Sequence, residues 1–159
     1  MPTLPQLIED DITSLNEAMQ ELLFQSDSTC ALVIDKGGFV VTSVGQTDTF
    51  DNVTLSALSA ASYAATEGIA NLVGEETFSS VYQQGESRSL LVHHVDECCL
   101  LVVVFKAQIS VGAVKYFAVE TIKKIAAQLR VAQERDPGKG LDLSEIDLAD
   151  PSPLFRKSA

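Results

Sequence analysis

The sequence has no tryptophan and few basic residues: 11 lysines and arginines stand against 22 aspartates and glutamates, for a formal net charge of −11. So acidic a surface repels phosphate backbones and anionic membranes, and no basic patch along the chain offsets this repulsion. It suits a partner with a basic face instead. We therefore expect no nucleic-acid binding.

Cysteines and long apolar runs are also scarce. Cys30, Cys98 and Cys99 lie in apolar runs without paired spacing, and free cysteines of this kind behave as small hydrophobic residues in a reducing compartment. The chain shows no secretory-type leader and no run of the roughly 18 to 20 apolar residues that span a bilayer. These absences predict a soluble cytoplasmic protein without membrane insertion.

Motifs for catalysis or metal binding are missing or weak. His93 and His94 are neighbours, as are Cys98 and Cys99. Neighbouring residues on a strand point to opposite faces, so neither pair is expected to bind one ion together. The glycine fingerprints of nucleotide-binding folds and a Gly-x-Ser-x-Gly nucleophile elbow are absent. We expect no catalytic residue, no metal and no cofactor, and we do not predict an enzyme.

Hydrophobic residues make up 46% of the 159 residues, which is enough for one domain with a real core. Near the start, Thr3 and Gln6 have the spacing of a capping box for a first amphipathic helix. Residues 30–34 and 39–43 flank an Asp-Lys-Gly-Gly turn and predict a tight hairpin. The apolar stripe of the first helix consists of Leu7, Ile8, Ile12, Leu15, Met19, Leu22 and Leu23.

The second helix, predicted over residues 54–73 with Asp51 or Asn52 as its cap, has an unusual composition. Its sheet-facing stripe is predicted as Leu55, Leu58, Ala65, Ile69 and Leu72. The remainder is alanine, serine and glycine, and Glu67 is the only charged residue. An outer helix face with so few charged side chains leaves an exposed apolar patch, which a monomeric protein normally avoids. We interpret it as a protein-docking surface, and the alternative is an alanine-rich helix covered by the protein's own loops.

Three more strands are predicted at residues 81–83, 90–95 and 98–105, and the last is apolar enough to be buried on both faces. A stripe from Val111 to Ala132 predicts a final helix. The order α-β-β-α-β-β-β-α indicates an α+β fold with helices across an antiparallel sheet. We predict a domain over residues 1–135 and an acidic, flexible C-terminal tail over residues 136–159.

Several motifs, in this order, resemble the roadblock (dynein light chain) family. They are LVIDKGGFV at 32–40, NLVGE at 71–75, QGE at 84–86 ahead of two apolar strands, and an apolar run at 101–105 that leads into VGAVK at 111–115. The likeness covers residues 29–133. It is most similar to the bacterial MglB-like branch, which regulates small Ras-like GTPases and is typified by a cell-polarity protein.

The resemblance implies a roadblock/profilin-like fold: a five-stranded antiparallel sheet with one helix on one face and two on the other. It also implies a homodimer, joined through an edge strand that contains Val81, Tyr82 and Gln83 and through antiparallel packing of the second helices. One MglA-like GTPase would sit on this two-helix platform. The resemblance further implies that GTP hydrolysis is accelerated without an arginine finger, which agrees with the lack of arginine on the second helix.

The residues expected to contact the GTPase are Ala57, Ala60, Tyr63, Ala64, Glu67, Gly68 and Asn71. The resemblance places Ala60, Ala64 and Gly68 on the platform, and helical spacing places Ala57, Glu67 and Asn71 at its border. Tyr63 departs from the family, which has a small residue there. Its ring is expected to narrow the seat or to act as an aromatic anchor.

Two other functions stay open. The first is a scaffold or adaptor that binds partners with no effect on GTP turnover. The second is a ligand-sensing domain of related architecture with a pocket between sheet and helices, although the strands are filled with valine, leucine and phenylalanine. An enzyme is the least favoured interpretation.

Overall fold

The computed structural model describes residues 2–135, so the predicted tail at 136–159 lies outside the described residues. The predicted order of helices and strands is confirmed. The elements are α1 (Glu9–Ser26), β1 (Cys30–Asp35), β2 (Val40–Gly45), a 3-10 turn (Thr47–Thr49), α2 (Asn52–Leu72), β3 (Ser80–Gln84), β4 (Arg88–His94), β5 (Cys99–Lys106) and α3 (Val111–Glu134).

The strands form one antiparallel sheet in the order β2-β1-β5-β4-β3. β5 lies at the centre and is buried along its whole length except at Lys106. This is the position that its continuous apolar sequence predicts. β2 and β3 are the two edges of the sheet.

Helices cover both faces of the sheet. α1 and α3 pack on the face that carries Val33, Leu91 and Leu101, whereas α2 packs on the face that carries Leu32 and Val92. Because alternate residues of a strand point to opposite faces, each inner strand contributes to both layers. The predicted arrangement of one helix against two is confirmed. Within residues 2–135, no helix combines the length and the apolar character that crossing a membrane requires.

The start of α1 differs from the prediction. The helix begins at Glu9, and the proposed capping pair Thr3 and Gln6 lies before it. Instead, a carboxylate oxygen of Asp11 accepts the Ile8 backbone N–H at 2.8 Å. Asp11 is fully buried, because the same carboxylate also ties α1 to the end of α3. The capping role therefore belongs to a residue inside the helix.

Two further corrections concern short segments. Phe39 precedes β2 and is 74% exposed, although the sequence predicted it inside the strand. Cys98 precedes β5, so strand alternation does not separate it from Cys99, and both belong to the core beneath α1 and α3. Burial raises the pKa of the Cys99 thiol to about 12. Both thiols are therefore buried core groups.

Candidate docking surface

α2 rests on the sheet through a face that the sequence analysis did not predict. Its buried residues are Ser56, Ser59, Ala60, Tyr63 and Ala70. The predicted sheet-facing stripe is wrong at three leucine and isoleucine positions: Leu58 is 65% exposed, Ile69 50% and Leu72 87%. Only Leu55 of that stripe packs against the core. The large apolar side chains of α2 therefore point mainly away from the sheet.

Tyr63 explains this orientation. Its ring is the largest side chain on α2, and burying it removes more apolar surface from water than burying any leucine would. The hydroxyl donates a hydrogen bond to the Phe78 carbonyl at 3.0 Å. The same oxygen lies 3.1 Å from Thr77 Oγ1 and 3.4 Å from His94 Nδ1. Both the apolar ring and the polar tip of Tyr63 are thus satisfied only when this face is turned inward.

A small charged cluster surrounds the Tyr63 ring. Lys36 Nζ lies 6.0 Å from the ring centroid and 3.8 Å from a carboxylate oxygen of Glu67. His94 stacks on the ring at 6.4 Å between centroids. Burial, and then the nearby Lys36 charge, lower the pKa of His94 below its usual value. The cluster joins the hairpin, α2 and β4 at one end of the sheet.

The opposite side of α2 is an apolar surface, which we call the α2 surface. Its exposed members are Ala57, Leu58, Ala61, Ala64, Ala65, Gly68, Ile69, Asn71 and Leu72. A β-carbon built at Gly68 would meet no atom within 4 Å. A glycine inside a helix costs about 1 kcal/mol relative to alanine, and nothing in the described chain requires one here. The close approach of another protein backbone to this position would explain why it is a glycine.

The seven expected contact residues divide into three groups. Ala57, Ala64, Gly68 and Asn71 lie on the α2 surface, and Glu67 is half-buried at its border beside Lys36. Ala60 and Tyr63 face the sheet and are only 5% and 2% exposed. The expectation that the Tyr63 ring narrows the seat or anchors a partner is therefore corrected. The ring fills the core, and the tyrosine hydroxyl holds the following loop.

The hairpin between β1 and β2 touches the α2 surface. Gly38 has φ of +94°, and a β-carbon there would lie 3.0 Å from Ala57 Cα, so glycine is required both for the turn and for this contact. Phe39 follows it and is largely exposed. The sequence pattern alone did not indicate that Phe39, Leu58, Ile69 and Leu72 are exposed. The available signal was Tyr63, the only residue of α2 that is both bulky and in need of a hydrogen-bond partner.

β3 presents an open edge that contains Val81, Tyr82 and Gln83 and pairs only with β4. The His94 backbone N–H donates to the Ser79 carbonyl at 2.9 Å. In an antiparallel ladder, bonded and non-bonded pairs alternate. The backbone groups of Ser80, Tyr82 and Gln84 therefore point away from β4, where another strand can pair with them.

The two histidines lie on opposite faces of the sheet. His94 lies on the α2 face beside Tyr63, and His93 pairs with Leu101 on the face of α1 and α3, so the predicted divergence of the two rings is confirmed. Across residues 2–135, no three His, Cys, Asp or Glu side chains gather as a metal site would require.

Comparisons with known proteins agree with this architecture. A family model described as the Roadblock/LC7 domain matches residues 15–105. No curated protein sequence matches. The chain is similar to the solved structure of Myxococcus xanthus MglB, with 27% identity, a TM-score of 0.74 and coverage of 80% of this chain and 96% of that one.

Two further solved structures show the same likeness. The gliding protein MglB from Thermus thermophilus is 28% identical, with a TM-score of 0.75 and coverage of 82% and 99% of the two chains. A structure described as MglB with tetrameric arrangement is 29% identical, with a TM-score of 0.76 and coverage of 83% and 99%.

Proposed function

The chain belongs to the Roadblock/LC7 family, and from this membership we propose that it is a non-catalytic regulator that binds a small Ras-like GTPase of the MglA type on the α2 surface. The observation that carries the proposal is the α2 surface itself, where alanines and a glycine surround the exposed Leu58, Ile69 and Leu72. Contiguous apolar patches of this kind mark interaction sites.

The functional unit in this proposal is a homodimer. Two β3 strands pair edge to edge, which continues the sheet from one copy into the other and satisfies the outward backbone groups of Ser80, Tyr82 and Gln84. The α2 helices of the two copies then lie side by side on one face of the extended sheet. Small side chains at Ala61 and Ala65, one helical turn apart, allow two helices to approach closely, and Ala57, Ala64 and Gly68 are left for the GTPase.

In this proposal, binding accelerates GTP hydrolysis because it repositions catalytic groups that belong to the GTPase itself. Phosphoryl transfer depends mainly on positioning and on stabilisation of charge. Across α2 the only charged residue is Glu67, which pairs with Lys36. Arg88, at the start of β4, stacks its guanidinium over the Phe50 ring at 5.0 Å. The α2 surface therefore offers contact area without a cation for the γ-phosphate.

The first test is GTP hydrolysis by a Ras-like GTPase encoded in the same genome, measured under multiple turnover with and without this protein. Ala64→Arg places a long cation in the middle of the α2 surface. We expect it to weaken binding by at least about 100-fold, because the buried charge would lack a partner. Binding is measured by titration calorimetry.

Ala113→Arg is the matched control, since Ala113 is an exposed alanine of α3 on the other side of the sheet. It should bind and accelerate like the wild type. Unchanged affinity in Ala64→Arg would remove the α2 surface from the proposal. Binding without acceleration would assign the chain to the scaffold or adaptor class.

A further inference from the structure

His94 is the last residue of β4, where it contacts the segment that leads from α2 into β3. Its backbone N–H donates a hydrogen bond to the Ser79 carbonyl at 2.9 Å. Its ring stacks on Tyr63, and Nδ1 lies 3.4 Å from the tyrosine oxygen. Tyr63 in turn donates to the Phe78 carbonyl at 3.0 Å. His94 therefore supports residues 77–79 both directly and through Tyr63.

The charged and titratable groups that face the His94 ring come from four parts of the chain. They are Lys36 of the hairpin, Glu67 of α2, Asp96 of the turn after β4, and His93 of β4 itself. Lys36 Nζ lies 6.0 Å from the centroid of the Tyr63 ring on which His94 stacks. A proton on His94 would therefore add a second positive charge beside Lys36, which repels it.

Both carboxylates near His94 already have partners. A carboxylate oxygen of Glu67 lies 3.8 Å from Lys36 Nζ. One oxygen of Asp96 accepts the backbone N–H groups of Cys98 and Cys99, each at 2.8 Å. Neither carboxylate can move to a protonated His94 without weakening a contact that it makes in the fold.

The fold thus favours the neutral form of His94. Burial, followed by the Lys36 charge, lowers the pKa of this imidazole below its usual value. A histidine released into water titrates near pH 6.5. Because the folded state holds the proton more weakly than the released state, the stabilisation by the neutral ring is complete above about pH 6.5. It is lost as the pH falls toward the folded pKa.

We propose that His94 is a pH-sensitive switch: its neutral ring keeps Tyr63 and residues 77–79 in place, and its protonation in mildly acidic solution releases that segment. The charged ring regains its hydration by leaving the Tyr63 ring. Water then reaches the tyrosine hydroxyl and competes for its hydrogen bond to Phe78. β3 begins at Ser80, directly after this segment, so the release also loosens the start of the open edge.

The test is hydrogen exchange of the full-length protein, followed by mass spectrometry at about pH 7.5 and about pH 5.5 and corrected for the intrinsic pH dependence of exchange. We expect the protection of residues 77–80 to fall several-fold at the lower pH. The limit is about tenfold, which linkage sets for a group that titrates near pH 6.5 once it is released. Residues 99–105 in the central strand should show no such fall.

His94→Gln removes the titrating group and keeps a polar side chain. Whatever its protection at the higher pH, this variant should show no further fall at the lower pH. His93→Gln is the matched control, because His93 lies on the opposite face of the sheet, and it should keep the change seen in the wild type. An equal fall in His94→Gln would overturn the proposal, and so would unchanged protection in the wild type.

An NMR titration of the wild type gives a second measurement, which holds even if His94→Gln does not fold. The chain has two histidines, so the spectrum of His93→Gln identifies the His94 resonance. We expect His94 to titrate below about pH 6.5, and the amide signals of residues 77–80 to shift with the same midpoint. A His94 pKa at or above that value would contradict the switch. Both measurements use the protein alone, so their failure is distinct from a failure of the proposed function.

Discussion

At the scale of single residues, Tyr63 connects three parts of the fold. Its ring packs between α2 and the sheet, and its hydroxyl reaches the loop that leads into β3. Burial raises the pKa of this hydroxyl, so it remains a donor at neutral pH. The orientation of the α2 surface and the position of the β3 edge therefore depend on the same side chain.

Removing that hydroxyl tests the connection. We expect Tyr63→Phe to lower the free energy of unfolding by about 1 to 1.5 kcal/mol, because the Phe78 carbonyl loses its donor while the ring still packs. Urea denaturation measures this loss, and hydrogen exchange should show earlier opening of residues 77–80. Tyr82→Phe is the control, since the described residues provide no hydrogen bond to the Tyr82 hydroxyl and its ring stacks on Phe105. Equal stability of the two variants would contradict the assignment.

At the scale of elements, α1 and α3 are joined at one end by a buried carboxylate. Asp11 accepts two hydrogen bonds from the Arg135 guanidinium at 2.7 and 2.8 Å and one from Gln128 at 2.7 Å. The Arg135 hydrogen bonds hold the pKa of the Asp11 carboxyl well below its usual value. Since Arg135 follows directly after α3, this pair fixes the end of α3 against the start of α1.

This carboxylate makes the stability of the protein depend on pH. The folded state holds the Asp11 proton more weakly than the unfolded state, whose carboxyl titrates near pH 3.9. The stabilisation is therefore complete above about pH 4 and is lost as the pH falls further. We expect Asp11→Asn to cost about 2 kcal/mol at pH 7 and to flatten the decline in stability between about pH 4 and pH 2.

Denaturation at a series of pH values provides this profile. Asp10→Asn, at an exposed position of the same turn, shows the effect of removing one negative charge without the buried contacts. A decline in Asp11→Asn as steep as in the wild type would show that another group causes it.

The edge of β3 is the second element with a testable role. The Gln84 backbone N–H points away from β4, so Gln84→Pro removes a donor from the open edge and leaves the ladder to β4 intact. A β3 dimer would lose this donor twice, which at about 1 kcal/mol each raises its dissociation constant by about 30-fold. Sedimentation across a dilution series measures the constant. Gln84→Ala should behave like the wild type, and equal constants for the two variants would argue against pairing through β3.

At the scale of the whole molecule, the two exposed apolar surfaces lie on opposite sides of one sheet. The α2 surface faces one way, and the outward side of α1 and α3, with the exposed Phe24 and Tyr116, faces the other. The net charge of −11 makes the free chains repel one another, which opposes non-specific association through either surface.

The order of elements and the two-layered core were accessible from the sequence. β5 is almost wholly apolar, and the stripes of α1 and α3 have one polar and one apolar side, so a local pattern is enough to assign each. The same patterns predicted a strand at Val81 to Gln83, and the family resemblance implied that this strand lies at an edge of the sheet. The family resemblance rested on short motifs along these elements, and the matching family model agrees with it.

The orientation of α2 was decided only by the tertiary structure. This helix is apolar or small on every side, so periodicity cannot select the buried face. The selection depends on partners remote in sequence: Thr77, Phe78 and His94 for the Tyr63 hydroxyl, and the hairpin for Ala57. The start of α1 is a similar case, because Arg135 buries and orients the carboxylate that caps it. Sequence patterns determine which residues are apolar, but long-range contacts determine which of them remain exposed for a partner.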